Sequence, residues 1–179
     1  MRMQVEKIFG ESLRTRVNAE DRAEVTAMSM LEHAIALAAK AHAGQIDKVG
    51  APYILHPLRV MLRVTTTEER IAAILHDVVE DSSWSLEGLA GEGFSPEIIE
   101  AVDALSHRPQ ETYEEFVLRA AANAIARVVK LADLEDNCDL SRIAHPSSRD
   151  FARIEKYGRA IAVLRVQESG GPERPRVSH

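Results

Sequence analysis

The sequence predicts an all-α fold in one domain, on three observations. Strand signals are nearly absent: aromatic residues are 4% of the 179 residues, and no long stretch alternates apolar and polar with period two. Apolar residues recur instead at three- and four-residue spacing in segment after segment. No internal repeat and no linker-like stretch divides the chain, whose length accommodates one full core.

Leu31, Ala34, Ile35, Ala38 and His42 share one helical face, which predicts a helix over about Ala27 to Ala43, ended by Gly44. After the loop QIDKVGAPYI, Pro57 suits the first position of a short helix reaching about Val64. Thr67 caps a helix with Ile71, Ile74, Leu75 and Val78 inward. Ser95-Pro96-Glu97 opens another, with Ile98, Val102 and Leu105 inward, and Thr112 and Glu115 stand at capping-box spacing before Phe116. Ile125, Val128, Val129 and Ala132 form a further stripe, and a last helix runs from Ser148 to Gln167 with Phe151, Ile154 and Ile161 inward. On this reading residues 1–26 are an extension without an assigned role, 27–167 the domain, and 168–179 a Gly/Pro-rich mobile tail.

The formal net charge of −6 argues against a nucleic-acid polymer as partner, because polymer binding needs a basic face. A small phosphorylated substrate requires only a local cationic cluster or a metal ion. A single cysteine, Cys138, excludes an internal disulfide framework and fits a reducing compartment. No apolar run reaches the ~20 residues that span a bilayer, and the start lacks a secretion signal's apolar core, so no membrane partner and a cytoplasmic location are expected. Composition leaves the oligomeric state open, a homo-oligomer included.

Polar residues inside apolar stretches carry the chemistry. His76-Asp77 follows the run IAAIL and precedes Val78-Val79-Glu80-Asp81. Four ionisable groups beside a buried helix face are costly unless something compensates them, and a metal ion does so. Helical spacing puts Asp77 on one side with Glu80 and Asp81. Asp133 and Asn137 stand four apart at the end of another apolar helix, and His56 sits at a helix start. His56, His76, Asp77 and Asp133 make a mixed nitrogen and oxygen donor set, suited to Mn, Fe, Co or Zn better than to Mg or Ca. Such a centre with open positions supports hydrolysis of a phosphate ester, with Glu80 or Asp81 orienting or deprotonating the water. Each element alone has an ordinary structural explanation, whereas the ordered set does not. His33, His42, His107, His145 and His179 are read as core, capping or loop residues, and Cys138 as packing.

At these residues the chain resembles a known family. AHAGQIDKVGAPYILHP, IAAILHDVVEDSS and VKLADLEDN are similar to the hydrolase domain of RelA/SpoT homologues, above all to the stand-alone small alarmone hydrolases. That resemblance covers roughly Leu31 to Leu164 and implies a single HD-superfamily helical domain. It implies a Mn2+-dependent nucleotide 3′-pyrophosphohydrolase that removes pyrophosphate from (p)ppGpp in the stringent response. It assigns His56, His76, Asp77 and Asp133 to the metal, Glu80 and Asp81 to the water, and Lys48, Asn137, Arg153 and Tyr157 to the substrate. Lys130 or Arg142 would further offset substrate charge. The chain departs from the family at Asp47, where an arginine commonly packs on the base, and at Leu134, where LADR becomes LADL. Both departures remove positive charge and leave guanine against adenine, as in (p)ppApp, undecided. Two other readings stand beside this one: an HD phosphatase acting on another nucleotide, and a non-catalytic nucleotide-sensing domain.

Overall fold

Ile71, Ala72, Ala73, Ile74 and Leu75 are buried on every side, so their helix is the centre of the fold and not a half-exposed layer. A computed structural model describes residues 19–169. Its helices are α1 (Ala19–Ala41), α2 (Leu55–Arg63), α3 (Thr67–Leu75), α4 (Val78–Asp81), α5 (Leu86–Gly91), α6 (Pro96–Leu105), α7 (Tyr113–Ala122), α8 (Ala124–Cys138) and α9 (Ser148–Ser169), with a 3-10 turn at Leu140–Arg142. Among the described residues there is no strand, only an isolated bridge between Ile46 and Pro52. The all-α expectation stands. The expected tail lies largely outside the described residues, and α1 begins at Ala19, inside the segment read as an extension.

Central α3 packs against α1, α2, α6 and α8. Its Ile71, Ile74 and Leu75 join Ala34, Leu37 and Ala38 of α1 and Ile98 and Val102 of α6 in one apolar cluster. The small Ala72 and Ala73 face Val60, Ala101, Ala126 and Val129 in a second. Each large aliphatic side chain so buried stabilises the fold by roughly 1.5–3 kcal/mol. A third cluster joins Val117 and Ala121 of α7, Leu134 of α8, and Ala160 and Leu164 of α9.

Four local expectations change, the first being that the helix read as carrying Val78 stops at Leu75, with Val78 opening the separate α4. The helix cap before α3 is Thr66, not Thr67: its hydroxyl accepts from Glu69 N while the Glu69 carboxylate accepts from the Thr66 amide. Pro57 is the third residue of α2, not the first, and does no harm there because the amides of a first turn have no intrahelical acceptor. Phe151 is 57% exposed; Ala160 and Leu164 fill the core from α9, with Ile154 and Ile161 only half-buried. The starts at Ser95 and Thr112, the latter with its capping box, are as expected.

Candidate functional site

The buried end of α3 places the first ligand candidates. The helix stops at Leu75, and His76 turns its Nδ1–H back onto the Ala73 carbonyl at 2.7 Å, satisfying an acceptor left open at the helix end. A carbonyl only accepts, so the neutral ring carries its proton on Nδ1 and directs the Nε2 lone pair away. His56, in the first turn of α2, repeats this arrangement. Its Nδ1–H donates to Asp136 Oδ2 at 2.9 Å, and its Nε2 lies 3.2 Å from Asp133 Oδ1 and 3.8 Å from Asp77 Oδ2. His76 Nε2 lies 3.0 Å from Asp77 Oδ2 and 3.8 Å from Asp133 Oδ1. One donor atom each from His56, His76 and Asp133 falls within 4.8 Å of the others.

These atoms fit a divalent ion. His76 Nε2 is buried and has no hydrogen bond among the described residues, and both imidazoles spend their other nitrogen on an outer acceptor. The α3–α4 junction delivers Asp77, whose Oδ2 also accepts from the Tyr53 hydroxyl at 2.6 Å. Asp133 receives Lys130 Nζ at 2.9 Å on Oδ2 and Asn137 Nδ2 at 2.6 Å on Oδ1. The electrostatics follow from this crowding. Burial alone would lower the pKa of both histidines, but neighbouring carboxylates prevail, raising His76 and pushing His56 up to about 9. Burial would raise Asp77, yet the adjacent His76 holds it down at about 2; Asp133 is likewise held far below the carboxylate range, first by Lys130. The cluster therefore retains ionised oxygens in the interior, balanced by imidazolium and Lys130 charge, and a bound cation would take over from the imidazole protons.

A cleft of about 380 Å³ opens beside this cluster. Every predicted site residue except His76 lines it: His56 and Asp133 are buried and, with half-buried Asp77, are taken as its floor, Asn137 bonds Asp133, Arg153 and Tyr157 are half-buried, and Lys48, Glu80 and Asp81 are exposed. His76 lies behind the floor, 2% exposed. Glu80 accepts a hydrogen bond from the His107 amide; burial raises its pKa, with that bond offsetting part of the rise. Partial burial, then the nearby Arg153, lowers the pKa of Lys48. Arg142 and Arg153 each keep a buried Nε without a partner among the described residues.

The loop before α2 is folded tightly. Gly44 and Gly50, both at φ +81°, take left-handed turns that other residues resist. Asp47 Oδ1 accepts from the amides of Val49 and Ala51 at 3.0 and 2.9 Å, and Asp47 Oδ2 lies 3.5 Å from Arg142 Nη1. Asp47 is thus tied to its own loop through Oδ1, while Oδ2 pairs with Arg142 on the cleft lining. Leu134 is 1% exposed in the α7–α9 cluster, packed with Tyr157, and does not itself line the cleft.

Four contributors are not evident from the sequence: Tyr53 and Asp136, which bond Asp77 and His56, Arg59, which pairs with Asp136, and the His107 backbone. His42 is buried, bonded to Gln45, and Cys138 is half-buried with a pKa raised by burial, as expected of packing residues.

The HD-domain family model matches residues 34–137, more than half of the chain and the whole of the donor cluster. The chain belongs to the HD-domain family. Among curated relatives, the probable GTP pyrophosphokinase of Mycobacterium leprae is 30% identical over 138 residues, 68% of this chain and 17% of that protein. A guanosine-3′,5′-bis(diphosphate) 3′-pyrophosphohydrolase of Aquifex aeolicus is 30% identical over 119 residues, 60% of this chain and 17% of its own length. A probable enzyme of the same name from Synechocystis is 35% identical over 131 residues, 64% of this chain and 17% of its own. This HD-domain chain thus spans about 17% of the length of these relatives. A solved metazoan ortholog of SpoT, described as hydrolysing ppGpp, shares the fold with a TM-score of 0.63 and 24% identity, over 79% of this chain and 86% of that one. No described helix is long and apolar enough to cross a membrane.

Proposed function

We propose that this HD domain is a metal-dependent hydrolase removing the 3′-diphosphate of (p)ppGpp or a related purine alarmone such as (p)ppApp, with Mn2+ as its ion. The observation that carries this reading is the polarity of one cleft: a buried donor cluster at its floor and Lys48, Arg142 and Arg153 at its rim. A nucleotide with phosphates at two positions has one anionic group for each end. The names of the similar pyrophosphohydrolases point the same way.

His56, His76, Asp77 and Asp133 would hold the ion, which supplies charge neutralisation and a water of lowered pKa. Glu80, held by the His107 amide and with its pKa raised, orients the attacking water and takes its proton, and Asp81 beside it shares that work. Attack falls on the phosphorus joined to the ribose 3′-oxygen; the P–O bond breaks, leaving the nucleoside 5′-diphosphate and pyrophosphate. Asn137 braces Asp133 and, with Lys48, Arg153 and Tyr157, contacts the substrate. Residues 27–167 are taken as the catalytic unit and the cytoplasm as its compartment, the place of such nucleotides.

Product chromatography after incubating metal-depleted and Mn-loaded protein with ppGpp, ppApp, GMP and NADPH tests this. GDP and pyrophosphate from ppGpp, only with metal, is the expected result. Intact ppGpp and ppApp with another nucleotide consumed would replace it by a second reading, a phosphatase of different substrate. Asp47 in place of the family's arginine favours that alternative, because it removes positive charge beside an anionic substrate.

A further inference from the structure

Asp136 is 1% exposed and lies three residues beyond Asp133 on α8, outside the donor cluster. Its carboxylate is crowded. Oδ2 accepts His56 Nδ1–H at 2.9 Å, Arg59 Nη2 at 3.0 Å and Arg142 Nη2 at 3.3 Å; Oδ1 accepts Arg59 Nε at 2.9 Å. One bidentate arginine would suffice to neutralise a buried carboxylate. The two further partners lead in different directions, one into the ion site and one into the cleft wall.

We propose that Asp136 is a positioning residue that sets, from one buried carboxylate, both the His56 ligand and the cleft cation Arg142. This role rests on the metal-site reading and does not depend on the identity of the nucleotide. Towards the ion, an anionic acceptor on Nδ1 fixes which nitrogen carries the proton, fixes the ring plane, and raises the basicity of Nε2. Arg59 clamps the carboxylate from behind, so the acceptor itself cannot turn. Towards the rim, Arg142 Nη2 donates to the Asp136 carboxylate at 3.3 Å and to the Asp136 main-chain carbonyl at 3.2 Å, so Asp136→Asn weakens this hold by removing the carboxylate charge and leaves the carbonyl bond, while Nη1 lies 3.5 Å from Asp47 Oδ2. Asp47 in turn accepts the Val49 and Ala51 amides. The loop that carries Lys48 is therefore tied to α8 through Arg142, and Asp136 anchors that tie at the α8 end. A single neutral substitution here loosens two separated features, whereas removing Arg142 loosens one.

Asp136→Asn and Arg142→Gln, each checked for folding by circular dichroism and thermal melting, test this with two readouts that need no substrate. Mn2+ titration of metal-depleted protein should weaken about 10–100-fold in D136N and not in R142Q. Hydrogen exchange at the Val49 and Ala51 amides should accelerate in both. A folded D136N with wild-type Mn2+ affinity, or with unchanged exchange in the loop, overturns the proposal. Should D136N fail to fold, nitrogen-15 NMR of the Zn2+-loaded wild type decides. A hydrogen-bonded proton on His56 Nδ1 with Nε2 ligated supports it, and an unprotonated Nδ1 contradicts it. Neither readout involves alarmone turnover, so a wrong substrate and a wrong role for Asp136 give different results.

Discussion

The floor and the rim of the cleft are built on opposite plans. At the floor each proposed ligand is buried or half-buried and held by a second residue: His76 by the Ala73 carbonyl, His56 by Asp136, Asp77 by Tyr53, Asp133 by Lys130 and Asn137. At the rim, exposed Lys48 rides the turn between two left-handed glycines, and Arg153 is held by its neighbour Asp150 on the same helix. The floor is preorganised by packing; at the rim Lys48 rides on its loop and Arg153 on one ion pair, with Arg142 held on two sides by Asp136 and Asp47. On the proposed reading, a fold made this way would keep its reaction while the bound base changes, and Asp47 is where the chain departs from the family pattern.

Substitutions should separate the two ends, and the largest effects belong to the floor. Replacing His76 or Asp77 with Ala should remove bound metal, read by elemental analysis, and lower turnover by about a thousandfold or more, several kcal/mol of lost charge stabilisation. Metal retained at wild-type stoichiometry in either variant would break the assignment of the floor. Glu80→Gln should keep its metal and lose about 10²–10⁴-fold in kcat, the usual worth of a positioned proton acceptor. Loss of metal together with kcat would show that Glu80 is a ligand instead.

Lys130→Met leaves Asp133 without its cation in the interior, a change that typically costs about 3–5 kcal/mol. The thermal midpoint should fall accordingly in metal-free protein, and Mn2+ should restore part of the loss by supplying positive charge to the same carboxylate. An equal deficit with and without Mn2+ would mean that Lys130 only packs, over the Phe116 ring 4.6 Å away. Lys48→Ala, at the rim, should raise KM about tenfold, the equivalent of about 1.4 kcal/mol, with metal content and kcat kept. A fall in kcat would erase the contrast between the ends.

The smallest effect lies outside the cleft and calibrates it. Arg119 binds Glu111 through two hydrogen bonds of 2.7 Å and holds its pKa at about 2, below its ordinary 4.5. A depressed folded-state pKa contributes stability that is full above pH 4.5 and fades as the pH falls towards 2. Glu111→Gln should flatten that part of the acid denaturation curve, by no more than about 1 kcal/mol for a pair at the surface. An unchanged curve would show that the pair contributes nothing.

Sequence patterns expose what is local and conceal what is brought from afar. The capping box at Thr112 and Glu115 is legible because its partners are three residues apart. The same signal argues against Thr67, which would have Arg70 at the third helical position, whereas Thr66 has Glu69 there; Thr65 with Glu68 has the same spacing. The proposed floor ligands are legible because ionisable residues stand out against apolar runs. Lys130 shares that feature, and its three-residue spacing to Asp133 is a usable sign of their pairing. Asp136 is not legible, since its partners His56 and Arg59 lie 80 and 77 residues away and its own surroundings read as a solvated helix end. Phe151 misleads because an amphipathic phase taken over a long helix does not reveal how far its first turn extends past the core. At Asp47 and Leu134 the family pattern records only the type of residue. Tertiary contacts reveal that one is tied into its loop and the other packed under α9.

Metal-dependent attack on the 3′-phosphorus is best tried by incubating metal-depleted and Mn-loaded protein with ppGpp in oxygen-18 water, followed by mass spectrometry of the products. Cleavage only with metal, with one oxygen-18 in the pyrophosphate and none in the GDP, is the expected result. Intact ppGpp, or label in the GDP, would refute it.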